Sequence, residues 1–218
     1  MIMPQTSTDL GARRKALNDL LDEHWGYTLA HNPEIASILG DKRWNDRLSD
    51  LSQGAVAADL AKAGEFLARF EAIDATGFPE QEALNKTLML RDLRQTLDDA
   101  RFRGWLMPVT QIGGVHLSLP RLLSSLAFDS VKDYEDYIDR LRLVPKAFGD
   151  TTTNMRDGMA AGLMPPRFLL EKVVVQAQGI AGARLEESPF AHPFGVFPNA
   201  IAESDRSRLR VAGLAAIR

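Results

Sequence analysis

The sequence predicts an all-α protein, a multi-helix bundle of about seven to nine helices with an irregular Gly/Pro-rich strip. Three observations carry this. Apolar residues recur at steps of three and four through most of the chain, prolines and glycines fall mainly between those runs, and no internal repeat interrupts them. At 218 residues, 45% hydrophobic and 25% charged, the composition is that of a globular chain, and the whole is expected to form a single helical region.

The first long helix spans residues 8–31, with Leu10, Leu17, Leu20, Leu21, Trp25 and Leu29 on one face and Ser7 or Thr8 as the cap. Asn32-Pro33 breaks it, since proline disfavours helical geometry in the residue before it and begins a new helix well. Residues 33–39 form that short helix, closed by Gly40. From Ser52, the spacing of Val56, Leu60, Ala63, Leu67, Phe70 and Ile73 gives a second long helix, ending near Gly77. Pro79 begins a third, whose leucines at 84, 88, 93 and 97 face its partner across a short turn.

Residues 105–114 hold Pro108 and the Gly113-Gly114 pair and form the irregular strip. Partial alternation in VTQIGGVHLSL leaves a β-ribbon as the alternative reading there. A short helix follows over residues 120–128, and Ser130 caps the next, with Tyr134, Tyr137, Ile138, Leu141 and Val144 in one stripe. Beyond Pro145 the helix continues with a kink or restarts over residues 146–162, with Thr151, Thr152 and Thr153 read as a cap and turn. Gly158 and Gly162 let a neighbouring backbone approach. Pro165-Pro166 starts a helix that Phe168, Leu169, Val173 and Val174 make apolar on much of its surface, a candidate central helix. Residues 183–200 form an irregular, packed connection.

The last helix is capped at Ser204, and Leu209, Val211, Ala212, Leu214 and Ile217 make a pattern still under way at Arg218. The expectation is that these residues are the N-terminal portion of a longer protein, with Leu209, Leu214 and Ile217 exposed or covered by a partner.

A net charge of -3 gives no basic footprint, so nucleic acid is not an expected partner. No window approaches the ~20 apolar residues of a membrane span, and no export signal is visible. The expected location is cytoplasmic if no leader was removed, periplasmic or secreted otherwise. With no cysteine, the chain has no thiol nucleophile and no thiolate zinc site. His24 and His31 share a helix face but stand ~10 Å apart, too far to share one metal. His116 and His192 sit where a side chain can enter a cleft, yet neither has the HExxH neighbourhood, and no G-x-S-x-G elbow or phosphate-binding loop occurs. The acidic pairs, Glu186/Glu187 among them, read as solvated faces.

Several stretches together, LLDEHWGYTLAHNPEIASILGDKRWNDRLSDLS, GGVHLSLPRLLS, DYEDYIDRLRLVPKAF and MRDGMAAGLMPPRFLLEKVVVQ, resemble the N-terminal third of the bacterial family called domain of unknown function 885. The resemblance implies a longer, mainly helical, zinc-dependent metallopeptidase-like hydrolase whose HExxH-type helix lies in the C-terminal half. It carries no catalytic or metal residue onto this chain, and zinc is expected in the missing C-terminal part. This chain would then supply scaffold and cleft wall, with Gln111, His116, Tyr137 and Arg167 as candidate substrate-binding residues beside the Gly- and Pro-rich turns. The expected partners are the missing C-terminal part, a second copy in a homo-oligomer and, for the parent protein, a peptide substrate. The alternative is a self-sufficient helical interaction or oligomerisation module without enzyme activity.

Overall fold

The computed structural model describes residues 6–218, with side chains from residue 9 onward. Among them run α1 (Thr6–His31), α2 (Pro33–Ile38), α3 (Gln53–Glu71), α4 (Glu80–Asp99), α5 (Val115–Leu122), α6 (Val131–Ala160), α7 (Arg167–Ala181) and α8 (Glu203–Ile217), with short 3-10 turns and no β-strand. The architecture is the all-α, multi-helix one that the periodicity predicts. The cap expected at Ser7 or Thr8 lies outside the residues whose side chains are described. Two compact units share the described residues: residues 6–28 with 53–104, and residues 29–52 with 105–218.

In the first unit, α1, α3 and α4 close over Leu17, Leu20, Phe66, Phe70 and Leu93. α3 and α4 form the expected helical hairpin. Its turn is fixed by the Asp74 carboxylate, which accepts from the Thr76 amide at 2.9 Å and hydroxyl at 2.7 Å, and by Gly77 at φ 79°. His24 packs edge-on against Phe66 at 4.9 Å between ring centroids, and burial lowers its pKa. Its role is that of an aromatic core residue.

The second unit is built around α6. Ser130 and Asp133 make a capping box, the Ser130 amide donating to Asp133 Oδ2 at 2.9 Å and the Asp133 amide to Ser130 Oγ at 3.3 Å. α6 runs unbroken through Pro145, because a proline removes only one intrahelical donor while buried Leu141 and Ala147 hold both sides of it. Thr151, Thr152 and Thr153 lie inside α6 rather than in a turn, and each hydroxyl donates to the carbonyl four residues back, at 2.8, 2.8 and 3.1 Å. The helix ends at Gly162, φ 72°, with Leu163 N donating to Gly158 O at 2.8 Å and Gly162 N to Met159 O at 3.1 Å. A Cβ on Gly158 would overlap the Leu106 carbonyl oxygen, which is the close backbone approach read from sequence.

One side of α6 carries the aromatic core of Tyr134, Tyr137, Phe194 and Phe197 with Leu209 of α8. The other fastens residues 29–52. Arg140 Nε donates to Arg47 O at 2.7 Å and its Nη2 to Trp44 O and Ser37 Oγ, both at 2.9 Å. Lys42 pairs with Asp133 at 2.8 Å, and Asn154 Nδ2 donates to Leu51 O at 2.8 Å.

Five local readings are corrected. Residues 110–113 make a tight turn with one Thr110–Gly113 bridge, and α5 begins at Val115, so no ribbon forms and Pro120 lies inside a helix rather than at its start. α7 is not central: it has no buried residue, and Phe168, Val174 and Val175 are 61%, 53% and 69% exposed. Only its half-buried face, with Leu169, Leu170, Val173, Ala177 and Ile180, turns inward. α8 begins at Glu203 after the N-cap Ala202, two residues ahead of the cap expected at Ser204. Its face is also covered within the unit, since Leu209 is fully buried and Ala212, Ala216 and Ile217 pack on the aromatic core, leaving Val211 exposed.

Candidate functional site

The Gly/Pro strip brings two of the four predicted residues together. Gly114 starts α5 at φ 127°, which places His116 in the first turn and 3% exposed. Gln176, on the inward face of α7, bridges the pair: its Nε2 donates to the Gln111 carbonyl at 3.0 Å, and its Oε1 lies 3.1 Å from His116 Nε2. A carbonyl can only accept, so this order fixes the amide of Gln176. Oε1 therefore faces the imidazole, Nε2 of His116 carries the proton in the neutral ring, and Nδ1 is left as a lone pair. That Nδ1 is buried and has no hydrogen-bond partner among the described residues.

The other two residues lie elsewhere. Tyr137 is in the aromatic core, 3% exposed, its hydroxyl donating to Phe190 O at 3.0 Å, and burial pushes the phenol pKa up. It positions residues 189–194. Arg167 opens α7 with a side chain 92% exposed and paired to Glu171 at 2.9 Å.

A cleft of about 720 Å³ in the second unit lies between α5 and residues 186–193. Pro120, Leu123, Phe128 and Pro189 supply an apolar surface, while Ser124, Glu186, Glu187 and His192 bring polar groups to it. His192 thus reaches a cleft, as its neighbourhood to Pro193 suggested. Glu187 also pairs with Arg184. Sequence reading missed Gln176, Glu186 and Glu187. A lone glutamine on the inward face of an apolar helix was a usable signal for the first, whereas the acidic pair carries the same local signature as any solvated face.

Among the described residues no three His, Asp or Glu side chains converge as metal ligands. Among the described residues no helix is long and apolar enough to cross a membrane.

A family model described as a bacterial protein of unknown function, DUF885, matches residues 33–218, most of the chain, from the first residue of α2 through α8. No curated protein matches. By this match the chain belongs to the DUF885 family of bacterial proteins.

Proposed function

We propose that this chain is a helical wall of a zinc-dependent, peptidase-like hydrolase, catalytically incomplete by itself, with the metal ligands supplied by sequence outside residues 1–218. The observation that carries this reading is the 720 Å³ cleft: it is roomy, mainly apolar, edged by hydrogen-bonding groups, and set in a chain of the DUF885 family. Such a surface suits an extended peptide, whose side chains fill apolar pockets while polar edges hold its backbone. The zinc-peptidase-like character that the resemblance to this family implies for the longer protein supports the reaction class.

The test compares purified residues 1–218 with a longer product of the same gene. Metal analysis and hydrolysis of a peptide library should find zinc and cleavage in the longer protein and neither in residues 1–218. Stoichiometric, tight zinc in residues 1–218 overturns the proposal, as does a longer product that lacks both. Ser124→Trp, which fills the cleft from an exposed position, should raise KM in the longer protein.

The second reading, a self-sufficient interaction or oligomerisation module, is favoured by α7, where Phe168 and Val175 stand exposed one above the other, seven residues apart. Light scattering separates the two, because concentration-dependent dimerisation without a longer gene product supports the module.

A further inference from the structure

Four of the five described methionines, Met107, Met155, Met159 and Met164, line one pocket of about 50 Å³ in the second unit, at the C-terminal end of α6. Two backbone devices bring them there. Gly158 lets the chain at Leu106 lie against α6, which sets Met107 beside Met155 and Met159, one turn apart on that helix. The turn at Gly162, with Leu163 N donating to Gly158 O at 2.8 Å, folds Met164 back to the same end.

Leucines, prolines and Val109 supply the rest of the lining, so the thioether sulfurs are the only side-chain heteroatoms among the lining residues. Core packing accounts for a methionine that fills a buried gap. It does not account for Met159 and Met164, which are 62% and 56% exposed. Flexible thioethers at the mouth of a small apolar pocket suit a ligand that prefers sulfur to water. As soft, uncharged donors they select Cu(I), whereas Mg²⁺ and Ca²⁺ take oxygen ligands. The lining holds no carboxylate, which points the same way: a monovalent ion there leaves one charge uncompensated and a divalent ion two. The volume admits a single ion, well below the roughly 300–1,000 Å³ of a pocket for an organic ligand.

We infer that this pocket binds one soft monovalent metal ion, Cu(I), with the thioethers of Met107, Met155, Met159 and Met164 as its ligands. The apolar walls shield the ion from water, and the two exposed methionines give it a way in. This site does not rest on the peptidase reading, which places zinc in other sequence.

Titration of residues 1–218 with Cu(I), kept reduced by ascorbate and offered in competition with the chromophoric chelator bicinchoninate, tests it. Uptake of one equivalent is expected, with sulfur scatterers around copper in X-ray absorption. Met159→Leu combined with Met164→Leu keeps apolar side chains of similar size at two exposed positions and so keeps the fold, and should weaken Cu(I) binding by about tenfold or more. Met89→Leu, on α4 in the first unit, should leave the affinity unchanged. No Cu(I) uptake, copper surrounded by nitrogen alone, Zn²⁺ binding of equal strength at these methionines, or the same affinity in the double variant as in the parent chain overturns the inference.

Discussion

Arg140 and Gly158 show how single positions on α6 decide the packing of distant chain. Arg140 is 3% exposed and makes three hydrogen bonds to residues 37–47, and desolvation draws its guanidinium pKa below the usual value. Arg140→Met leaves the part-buried Arg47 and Trp44 carbonyls without their guanidinium donors. Urea unfolding should report a loss of about 3 kcal/mol, since charged hydrogen bonds removed from one side only carry the full desolvation penalty. At Gly158 a Cβ would meet the Leu106 carbonyl oxygen and stand 2.9 Å from that of Leu163, and backbone cannot move aside as a side chain can. Gly158→Ala should destabilise by about 1–3 kcal/mol even though alanine favours helix, a sign opposite to the propensity effect. The glycine was legible in the sequence as a close-approach site. Arg140 was not, because nothing in DYIDRLRLV distinguishes a buried arginine from Arg142 two residues on, which is exposed.

Elements were read well where a cap and a stripe agreed. For α6 both did, and Ser130→Ala should lower its stability by about 1 kcal/mol, seen as a lower thermal midpoint with helix content otherwise kept. Ser130→Asp, which can still accept from the Asp133 amide, should lose less. The readings failed where composition stood in for packing. Three consecutive valines made α7 look apolar all round, but which side meets the core depends on tertiary neighbours that periodicity does not encode. The same limit governed the candidate site. Gln111 and His116 were legible from their place beside Gly113-Gly114, whereas Gln176 joins them from 60 residues beyond His116. Tyr137 and Arg167 shared polar character with them but not location.

Across the whole molecule, shifted carboxylates set a common acid response. The Lys146 ammonium, with the Ser52 amide behind it, pulls the Asp50 carboxyl to about 2. Arg69 lowers Glu23 and Arg14 lowers Glu82. Burial raises Asp133, but hydrogen bonds from Lys42 and Ser130 outweigh it and the net direction is down. A folded pKa below the unfolded value of about 3.9 means the contribution is complete above that pH and lost as pH falls through the folded value. The melting temperature should therefore hold above about pH 5 and decline toward pH 2. Asp50→Asn should make the decline shallower, by less than about 1 kcal/mol because Asp50 is half exposed. A melting temperature that climbs as the acid limit is approached would contradict the assignment.

The two interleaved units also dictate an order of events on the ribosome. Residues 29–52 emerge before most of the first unit, yet their anchor Arg140 is made 93 to 103 residues after the groups it binds. At roughly 5–20 residues per second of synthesis, this segment waits on the order of 5–20 s for its docking partner. Over the same interval α3 and α4 complete the first unit. A nascent chain stalled just past residue 104 should accordingly be cleaved by protease within residues 29–52 while α3 and α4 resist, and one stalled well past α6 should not.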